Sequence, residues 1–295
     1  MSRREIDFTS KRKMFIIISV ILVLVSLISI FTRGFNFGVD FSGGTDLVFS
    51  STEDLTVAEL REKLADIDAE FGMAKISRLN DIQSDESIKS NFSVTVQEFY
   101  KSDDKDALLE RLPDGLKVES FDSVSGFAAD ELRSKSIWIA IIALGIILVY
   151  ITFRFKFSFG IGAIIALAHD AIITLGLYSL FSIPFDVSVV AAVLTLLGYS
   201  LNDTIVVYDR IRENLKKSRK NTMERTINDS INQVLSRTIN TSLTTFIVVF
   251  TMLLFGGAGL RPFAFGMTVG VIVGTYSSIF IASPILIGLF DRKKK

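Results

Sequence analysis

The sequence predicts a polytopic α-helical membrane protein with six transmembrane helices and an extracytoplasmic α+β domain after the first helix. Three observations support this prediction. Hydrophobic residues make up 49% of the 295-residue chain, a share typical of integral membrane proteins. Six apolar runs are long enough to cross a bilayer. One polar segment large enough for a small domain separates the first run from the second.

The N-terminal part of the chain predicts a retained first transmembrane helix. Residues 1–13 are basic, and residues 14–32 are apolar. Such a run can span a bilayer and is longer than the apolar core of a usual signal peptide. No small-residue cleavage site follows it. Basic residues favour the cytoplasmic side, so the N-terminus is predicted to be cytoplasmic.

The polar segment, residues 33–135, is predicted to be the extracytoplasmic domain. Its pattern reads βαββαβ, the order of a ferredoxin-like fold. Thr56 followed by Glu59 forms a capping box at the first helix, and Pro113-Asp114-Gly115 ends the second. The predicted strands cover residues 45–49, 75–79, 91–99 and 116–124, and the predicted helices cover 56–71 and 103–112.

Charge and composition exclude several classes of function. Residues 34–135 hold 22 acidic against 11 basic side chains, a balance that argues against nucleic acid as a partner. The chain has no cysteine and one histidine, so no metal site is expected. It also lacks a nucleotide loop and a nucleophile elbow. We therefore expect no cofactor and no enzymatic activity.

The remaining membrane part, residues 136–290, contains five more apolar runs. Loop charges agree with a cytoplasmic C-terminus, because the basic tail 291–295 and the connector 209–237 fall on the same side as the N-terminus. The last run exceeds a minimal span and is predicted to tilt or bend near Gly274 or Pro284. The five runs cover residues 136–153, 159–181, 187–208, 238–255 and 262–290.

The connector 209–237 is predicted to be a cytoplasmic amphipathic segment. It carries eight basic residues, and Asn221 with Glu224 can cap its helical part. The bases could contact anionic lipid, or the segment could be a solvated connector.

A glycine-rich motif follows the first apolar run and reads FNFGVDFSGGTDL over residues 35–47. It contains Asp40, Gly43 and Gly44. The two glycines permit a positive φ or a close approach of backbone. The motif is either a hinge between the first helix and the domain or a binding loop.

Three apolar runs carry polar side chains at helical spacing. Asp203 lies about 24 Å along the run that begins at residue 187. An ionisable group at that depth is costly and marks function, unless it merely ends the helix at the headgroup level. Facing polar stripes with two carboxylates and an arginine predict a hydrated ion path. The stripes are His169, Asp170, Thr174 and Tyr178; Thr195, Tyr199, Asn202 and Asp203; and Arg237, Thr241, Thr244 and Thr251.

Two roles are assigned to the remaining intramembrane residues. For His169, structural packing and participation in the path are both open, since an imidazole titrates near neutral pH. Gly266, Gly270 and Gly274 recur every fourth residue and predict a face for close helix packing.

Two motifs resemble those of a known family. The stretch LGYSLNDTIVVYDRIREN, residues 197–214, resembles the signature after the fourth helix in the SecD/SecF protein-export family. The glycine-rich motif resembles the one that follows the first helix in that family. The family belongs to the resistance–nodulation–division transporters, and the resemblance implies their plan of six helices with an external domain after the first.

The resemblance also implies a function. In the family, residues matching Asp203 and Arg237 are tied to proton conduction, with Asp170, His169, Tyr199 and Asn202 as neighbours here. The implied activity is late assistance to preprotein translocation, powered by the proton motive force. The implied partners are SecD, the SecY-SecE-SecG channel, translocating preproteins and lipid, and the implied location is the cytoplasmic (inner) membrane.

Three other functions compete with this one. An intramembrane aspartyl protease would pair Asp170 with Asp203 without a cation between them; Arg237 and the lack of a GxGD motif count against it. A half-transporter would export small molecules or lipids. A passive scaffold of the Sec channel would not need the carboxylate of Asp203.

Overall fold

The computed structural model of the chain describes residues 6–79, 88–98, 100, 107–108, 110–217 and 222–292. Within these ranges, six helical stretches are long and apolar enough to cross a membrane. The predicted polytopic helical membrane architecture is therefore confirmed.

The elements are long membrane helices, a four-stranded sheet with its short helices, and a separate pair of two-residue strands. A 3₁₀ turn, Ala69–Met73, precedes the second strand of the four-stranded sheet, and a π-helical turn, Ser278–Ala282, interrupts the last membrane helix. In chain order the elements are α1 (Arg12–Arg33), β1 (Asn36–Phe37), α2 (Val39–Ser42), β2 (Gly44–Ser51), α3 (Val57–Ala65), β3 (Lys75–Leu79), β4 (Ser90–Val96), β5 (Leu116–Val124), α4 (Gly126–Arg154), α5 (Phe157–Leu180), β6 (Pro184–Phe185), α6 (Val187–Lys217), α7 (Met223–Phe255), α8 (Gly257–Ser277) and α9 (Ser283–Arg292).

Three membrane segments form the interior of the bundle and three lie at its periphery. Over the most apolar part of each, 56% of α5, 44% of α6 and 67% of the α8–α9 segment is buried. The corresponding shares are 17% for α1, 11% for α4 and 17% for α7. Small residues make the interior possible, because α5 buries Gly160, Gly162, Ala163 and Ala166 along one face.

The described parts of the predicted connector 209–237 belong mainly to the ends of two long helices. Helix α6 continues to Lys217, stabilised by Glu213, which accepts hydrogen bonds from Arg210 at 2.6 Å and Lys217 at 2.5 Å. The predicted cap at Asn221 is wrong. The hydroxyl of Thr222 caps α7 by accepting from the N–H of Arg225, and Asn221 itself lies outside the described residues.

The last membrane segment is irregular where the sequence predicted a bend. The π-helical turn Ser278–Ala282 lies between Gly274 and Pro284. Proline has no N–H to donate to the carbonyl four residues earlier, so the regular hydrogen-bond ladder cannot continue through this point. The hydroxyl of Ser283 instead donates to the carbonyl of Ser278 at 2.9 Å.

Four strands of the polar segment form one antiparallel sheet in the order β3-β4-β2-β5. The capping box of Thr56 and Glu59 is present at α3. The predicted helix 56–71 is shorter than expected, however, and ends at Ala65. Asp68 accepts from the N–H of Glu70 at 3.1 Å and so begins the 3₁₀ turn. The hydrophobic core beneath the sheet includes Leu47, Phe49, Leu60, Leu64, Phe71, Phe92 and Val94.

Half of the predicted second helix, residues 103–112, lies outside the described residues. The described part is helical at Ala107, Leu108 and Glu110. Leu108 is buried in the same core as the strands, so this segment packs against the sheet.

The glycine-rich motif forms a joint between α1, the sheet and the start of α6. Strand β1 pairs in parallel with β6, and Asp40 accepts from the N–H of Val187 at 3.0 Å. Gly44 has φ +112°, and a Cβ there would lie 2.3 Å from the carbonyl oxygen of Val96. Only glycine fits that position.

Replacing Asp46 by Asn should stabilise the sheet domain at neutral pH. Burial raises the pKa of Asp46, which accepts from Ser93 and Thr95 and faces Asp122 across β2 and β5. The charged carboxylate therefore destabilises the fold above its raised pKa, and this penalty disappears as the pH falls through that value towards 3.8. The variant should unfold a few degrees higher than the parent, as expected for about 1 kcal/mol in a domain of this size.

Thermal unfolding of a fragment covering residues 44–124 tests this expectation and also tests whether the domain folds alone. The advantage of the Asn variant should narrow as the pH is lowered. Glu62→Gln, which removes a charge from an exposed position on α3, is the matched control and should show no such pattern. A fragment without a cooperative transition would show that the sheet needs the membrane helices.

Candidate functional site

Two carboxylates are buried among the interior helices. Asp170 on α5 is 0% exposed and Asp203 on α6 is 2% exposed. Both accept hydrogen bonds from hydroxyl side chains on neighbouring helices. Apart from the contact between His169 and Asp170, the partners of both carboxylates are hydroxyl residues outside the predicted polar stripes.

Asp203 contacts a short chain of hydroxyl groups. Its carboxylate accepts from the hydroxyl of Ser242 on α7 at 3.3 Å, and the hydroxyl of Thr275 on α8 lies 2.7 Å from that of Ser242. This arrangement connects α6, α7 and α8 through one carboxylate. Such a group can take up and release a proton while its neighbours reorient their hydroxyl hydrogens.

Asp170 has three hydrogen-bond partners from three helices. Nδ1 of His169 lies 2.9 Å from one carboxylate oxygen. The hydroxyls of Ser200 on α6 and Ser277 on α8 both donate to the other oxygen, Ser277 at 2.7 Å. Nε2 of His169 is buried, and no atom of the described residues accepts from it or donates to it.

Arg237 is not in contact with Asp203. Its side chain is exposed at the surface of α7, and within the described ranges no ion pair of 4.0 Å or less joins it to a carboxylate. The predicted ion pair between Asp203 and Arg237 is therefore not formed in this structure. Arg237 can still bias Asp203 through space, since charges in a low-dielectric interior interact over longer distances than in water.

The other polar residues of the predicted stripes fall into two groups. Tyr199 has a buried hydroxyl that finds no partner among the described residues, whereas Asn202 is exposed on the outer face of α6. Thr195, Thr241 and Thr244 each donate to the carbonyl four residues earlier on their own helix. These three threonines therefore do not bridge helices in the isolated chain.

The three glycines of α8 lie against α6 and α5. A Cβ at Gly266 would lie 2.1 Å from the hydroxyl of Tyr178, and one at Gly270 would lie 2.6 Å from the side chain of Leu196. A Cβ at Gly274 would be 3.0 Å from that of Ser200. The same approach that excludes a side chain here brings Ser277 within reach of Asp170.

Four residues of the site were missed by the sequence reasoning: Ser200, Ser242, Thr275 and Ser277. Hydroxyl residues are frequent in membrane helices and bind their own backbone as often as a neighbour, so composition alone does not single them out. A helical-face argument would have found Ser200, because it lies three residues before Asp203 and opposite Gly274.

The geometry of the described residues supports proton binding. Within the described residues, no group of three His, Cys, Asp or Glu side chains could hold a metal ion. Asp170 and Asp203 have separate hydrogen-bond partners and do not share one, as a protease dyad would. Two buried carboxylates with reorientable donors remain.

Comparisons with known families agree with the motifs described above. The family described as "Protein export membrane protein SecD/SecF, C-terminal" matches residues 104–292. A second match, the SecD/SecF GG motif, covers residues 28–51, which include Asp40, Gly43 and Gly44.

Curated relatives match the chain over almost its full length. Protein translocase subunit SecF of Petrotoga mobilis is 51% identical over 99% of this chain and 98% of its own length. The subunit of the same name from Calditerrivibrio nitroreducens is 41% identical over 99% of this chain and 96% of its own.

Solved structures of a larger protein are also similar. The crystal structure of SecDF, a translocon-associated membrane protein from Thermus thermophilus, has a TM-score of 0.84 and 34% identity over 98% of this chain. SecDF in a super-membrane-facing form gives a TM-score of 0.69 over the full chain. This chain spans 39% and 40% of the lengths of those two SecDF chains.

Proposed function

The chain belongs to the SecD/SecF protein-export family and is a non-enzymatic accessory subunit of the Sec translocase, and we propose that it works with SecD to assist late preprotein translocation by using the proton motive force. The observation that carries this proposal is the buried carboxylate of Asp203, bonded to Ser242 and followed by Thr275. A protonatable group inside a membrane bundle is costly and is retained where protons or ions move.

SecD is the partner that the exposed polar face favours. Side chains on the outer surface of α6 and α7 would meet lipid in the isolated chain: Thr195, Asn202, Arg237, Asn240 and Thr244. Unpaired polar side chains in hydrocarbon are unfavourable, which supports a second polar surface that covers them. SecDF, of which this chain matches 39%, has the additional length to supply such a surface.

The proposed orientation places the sheet domain outside and both termini in the cytoplasm. Basic residues at the N-terminus, between α6 and α7 and at the C-terminus support it through the positive-inside rule. We propose that residues 33–135 are a ferredoxin-like domain in this external position, and the strand order β3-β4-β2-β5 is compatible with that fold. The domain would hold preprotein emerging from the SecY-SecE-SecG channel in the cytoplasmic membrane.

The joint at the glycine-rich motif supports a mechanical role. Asp40, Gly43 and Gly44 connect the domain to both α1 and α6, and α6 carries Asp203. We propose that Gly266, Gly270 and Gly274 keep α8 close to α6, so that protonation changes at Asp203 move packed helices together.

Export by reconstituted membranes tests the proposal. Vesicles depleted of both subunits are refilled with this chain, with SecD, or with both, and a translocating preprotein is followed to protease protection. Completion should be stimulated only by both subunits together and only while a proton gradient is maintained. Equal stimulation after the gradient is collapsed would favour a passive scaffold, and stimulation of lipid or small-molecule efflux alone would favour a half-transporter.

A further inference from the structure

We propose that His169 and Asp170 form an internal binding site for a single proton, and that this proton enters and leaves through Nε2 of His169. The site is separate from Asp203 in its contacts and rests on the proposed function only for its use in export. Proton binding by the pair can be measured without any export activity.

The hydrogen bonds of Asp170 define the proton-free state. Three groups hydrogen-bond to its carboxylate: Nδ1 of His169 and the donating hydroxyls of Ser200 and Ser277. Two serine donors on one oxygen suit an ionised carboxylate, which accepts and does not donate. In that state the imidazole is neutral, carries its proton on Nδ1 and leaves Nε2 as a bare acceptor.

Adding one proton to the pair converts Nε2 from a bare acceptor into an N–H donor. Whether the proton of the Asp170–His169 bond is nearer to the oxygen or to Nδ1, the pair becomes neutral overall and Nε2 carries hydrogen. Nε2 is buried, and nothing in the described part of the chain pairs with it. It is therefore the atom at which the site can exchange a proton with an entering water or partner group.

The two protonation states each carry a cost, which is why the proton is not held permanently. Without the proton, the pair places a net negative charge inside the bundle. With it, the pair is neutral but leaves a buried N–H without an acceptor. Because both protonation states carry a free-energy cost, a modest change in the surroundings of the pair can shift the equilibrium from one state to the other.

Neighbouring groups do not cancel the charge of the pair. Tyr276 is the titratable side chain that contacts it from α8, stacking on the imidazole with ring centroids 6.1 Å apart. The hydroxyl of Tyr276 is already bonded to Ser19 and to the carbonyl of Phe15 on α1. The contacts from α6 and α8 to Asp170 are serines, and the described residues bring no lysine or arginine into an ion pair with it.

The chain offers a direct probe because His169 is its only histidine. The full-length protein is labelled with ¹⁵N-histidine, purified with a histidine-free tag and placed in lipid nanodiscs. Its nitrogen spectrum then reports one imidazole, including the tautomer and the protonation state. We expect the Nδ1–H tautomer before proton uptake and a single protonation step of the pair as the pH is lowered.

Two kinds of variant should move this step in opposite directions. Asp170→Asn removes the negative partner, so the imidazole should protonate at lower pH or not at all. Ser277→Ala and Ser200→Ala each remove a donor that stabilises the ionised carboxylate, so the pair should take up its proton at higher pH, by about one pH unit. Asp209→Asn, at a partly exposed and ion-paired position on α6, is the matched control and should leave the step unchanged.

If the nitrogen spectrum of His169 in the parent protein does not change with pH, the proposal is wrong and His169 is a packing residue. An unchanged midpoint in the serine variants would overturn it as well, and these variants remain informative if Asp170→Asn does not fold. Failure of gradient-dependent export, with the titration intact, would reject the proposed function and retain the site. Normal titration shifts with lost export in Ser277→Ala would show that the site is used.

Discussion

Replacing Asp203 by Asn should abolish the proton-dependent part of export while the protein still inserts and binds SecD. Asn keeps the size of the side chain and can accept from Ser242, whose hydroxyl lies 3.3 Å from the carboxylate. It cannot bind and release a proton. One charge crossing 100 mV yields about 2.3 kcal/mol. If Asp203 is the group that carries the proton, its replacement should remove this whole contribution to export.

Three further variants sharpen this expectation. Asp203→Glu can still carry a proton and should retain part of the activity. Arg237→Lys keeps the charge and should be impaired less than Arg237→Met, because an exposed cation near the site acts through its charge. The measurement is preprotein completion in vesicles with and without a proton gradient, at matched expression and matched SecD content.

The matched control is Asp209→Asn on the same helix. Asp209 is partly exposed and forms ion pairs with Arg154 and Arg212, and exposed pairs contribute about 0–1 kcal/mol. Its loss should leave gradient-dependent export nearly intact. Full export by Asp203→Asn in the same assay would reject proton carriage by Asp203 and favour a scaffold.

Replacing Gly176 by Ala should displace α1 from the bundle and destabilise the protein by about 3 kcal/mol or more, at the upper end for an overpacked core. A Cβ at Gly176 would lie 2.2 Å from the Cβ of Ser26 and 2.5 Å from its Cα. The second of these atoms is backbone, so no side-chain rotation relieves the clash. The adjoining hydrogen bond between Ser29 and Ser179, 3.0 Å long, should also be lost.

Gly145→Ala is the matched control for this change. Gly145 lies on the exposed helix α4, where an added Cβ meets nothing within 4 Å, and Ala is the better helix former by about 1 kcal/mol. Thermal stability in detergent should therefore fall sharply for Gly176→Ala and stay level or rise for Gly145→Ala. Ser26→Gly should rescue Gly176→Ala only in part, since the Cα clash remains.

The sequence predicted the membrane helices well because length and apolarity alone decide whether a helix can span a bilayer. It predicted helix ends less well. Glu213 and its two basic neighbours continue α6 beyond the bilayer, and Asp68 ends the first domain helix early by starting a 3₁₀ turn. Such ends depend on single side-chain contacts that hydropathy does not contain.

The charged residues of the candidate site could be predicted from the sequence, but their hydrogen-bond partners could not. Asp170 and Asp203 stand out because carboxylates are rare in apolar runs. Ser242 and Thr275 do not, since a hydroxyl on a membrane helix can face its own backbone, lipid or a neighbour. Arg237 was expected beside Asp203 and instead lies exposed on α7, because the spacing of residues along one helix does not specify which neighbouring helix a side chain meets.

The hydrogen bond from the first N–H of α6 to Asp40 fixes the start of this helix to the glycine-rich motif. Asp203 lies sixteen residues further along, about 24 Å away at 1.5 Å per residue, with no break in the helix between them. An unbroken α-helix resists shortening along its axis. We expect a shift of α6 at the carboxylate to reach the joint at Asp40, through which the helix contacts the glycine-rich motif and the sheet domain that follows it.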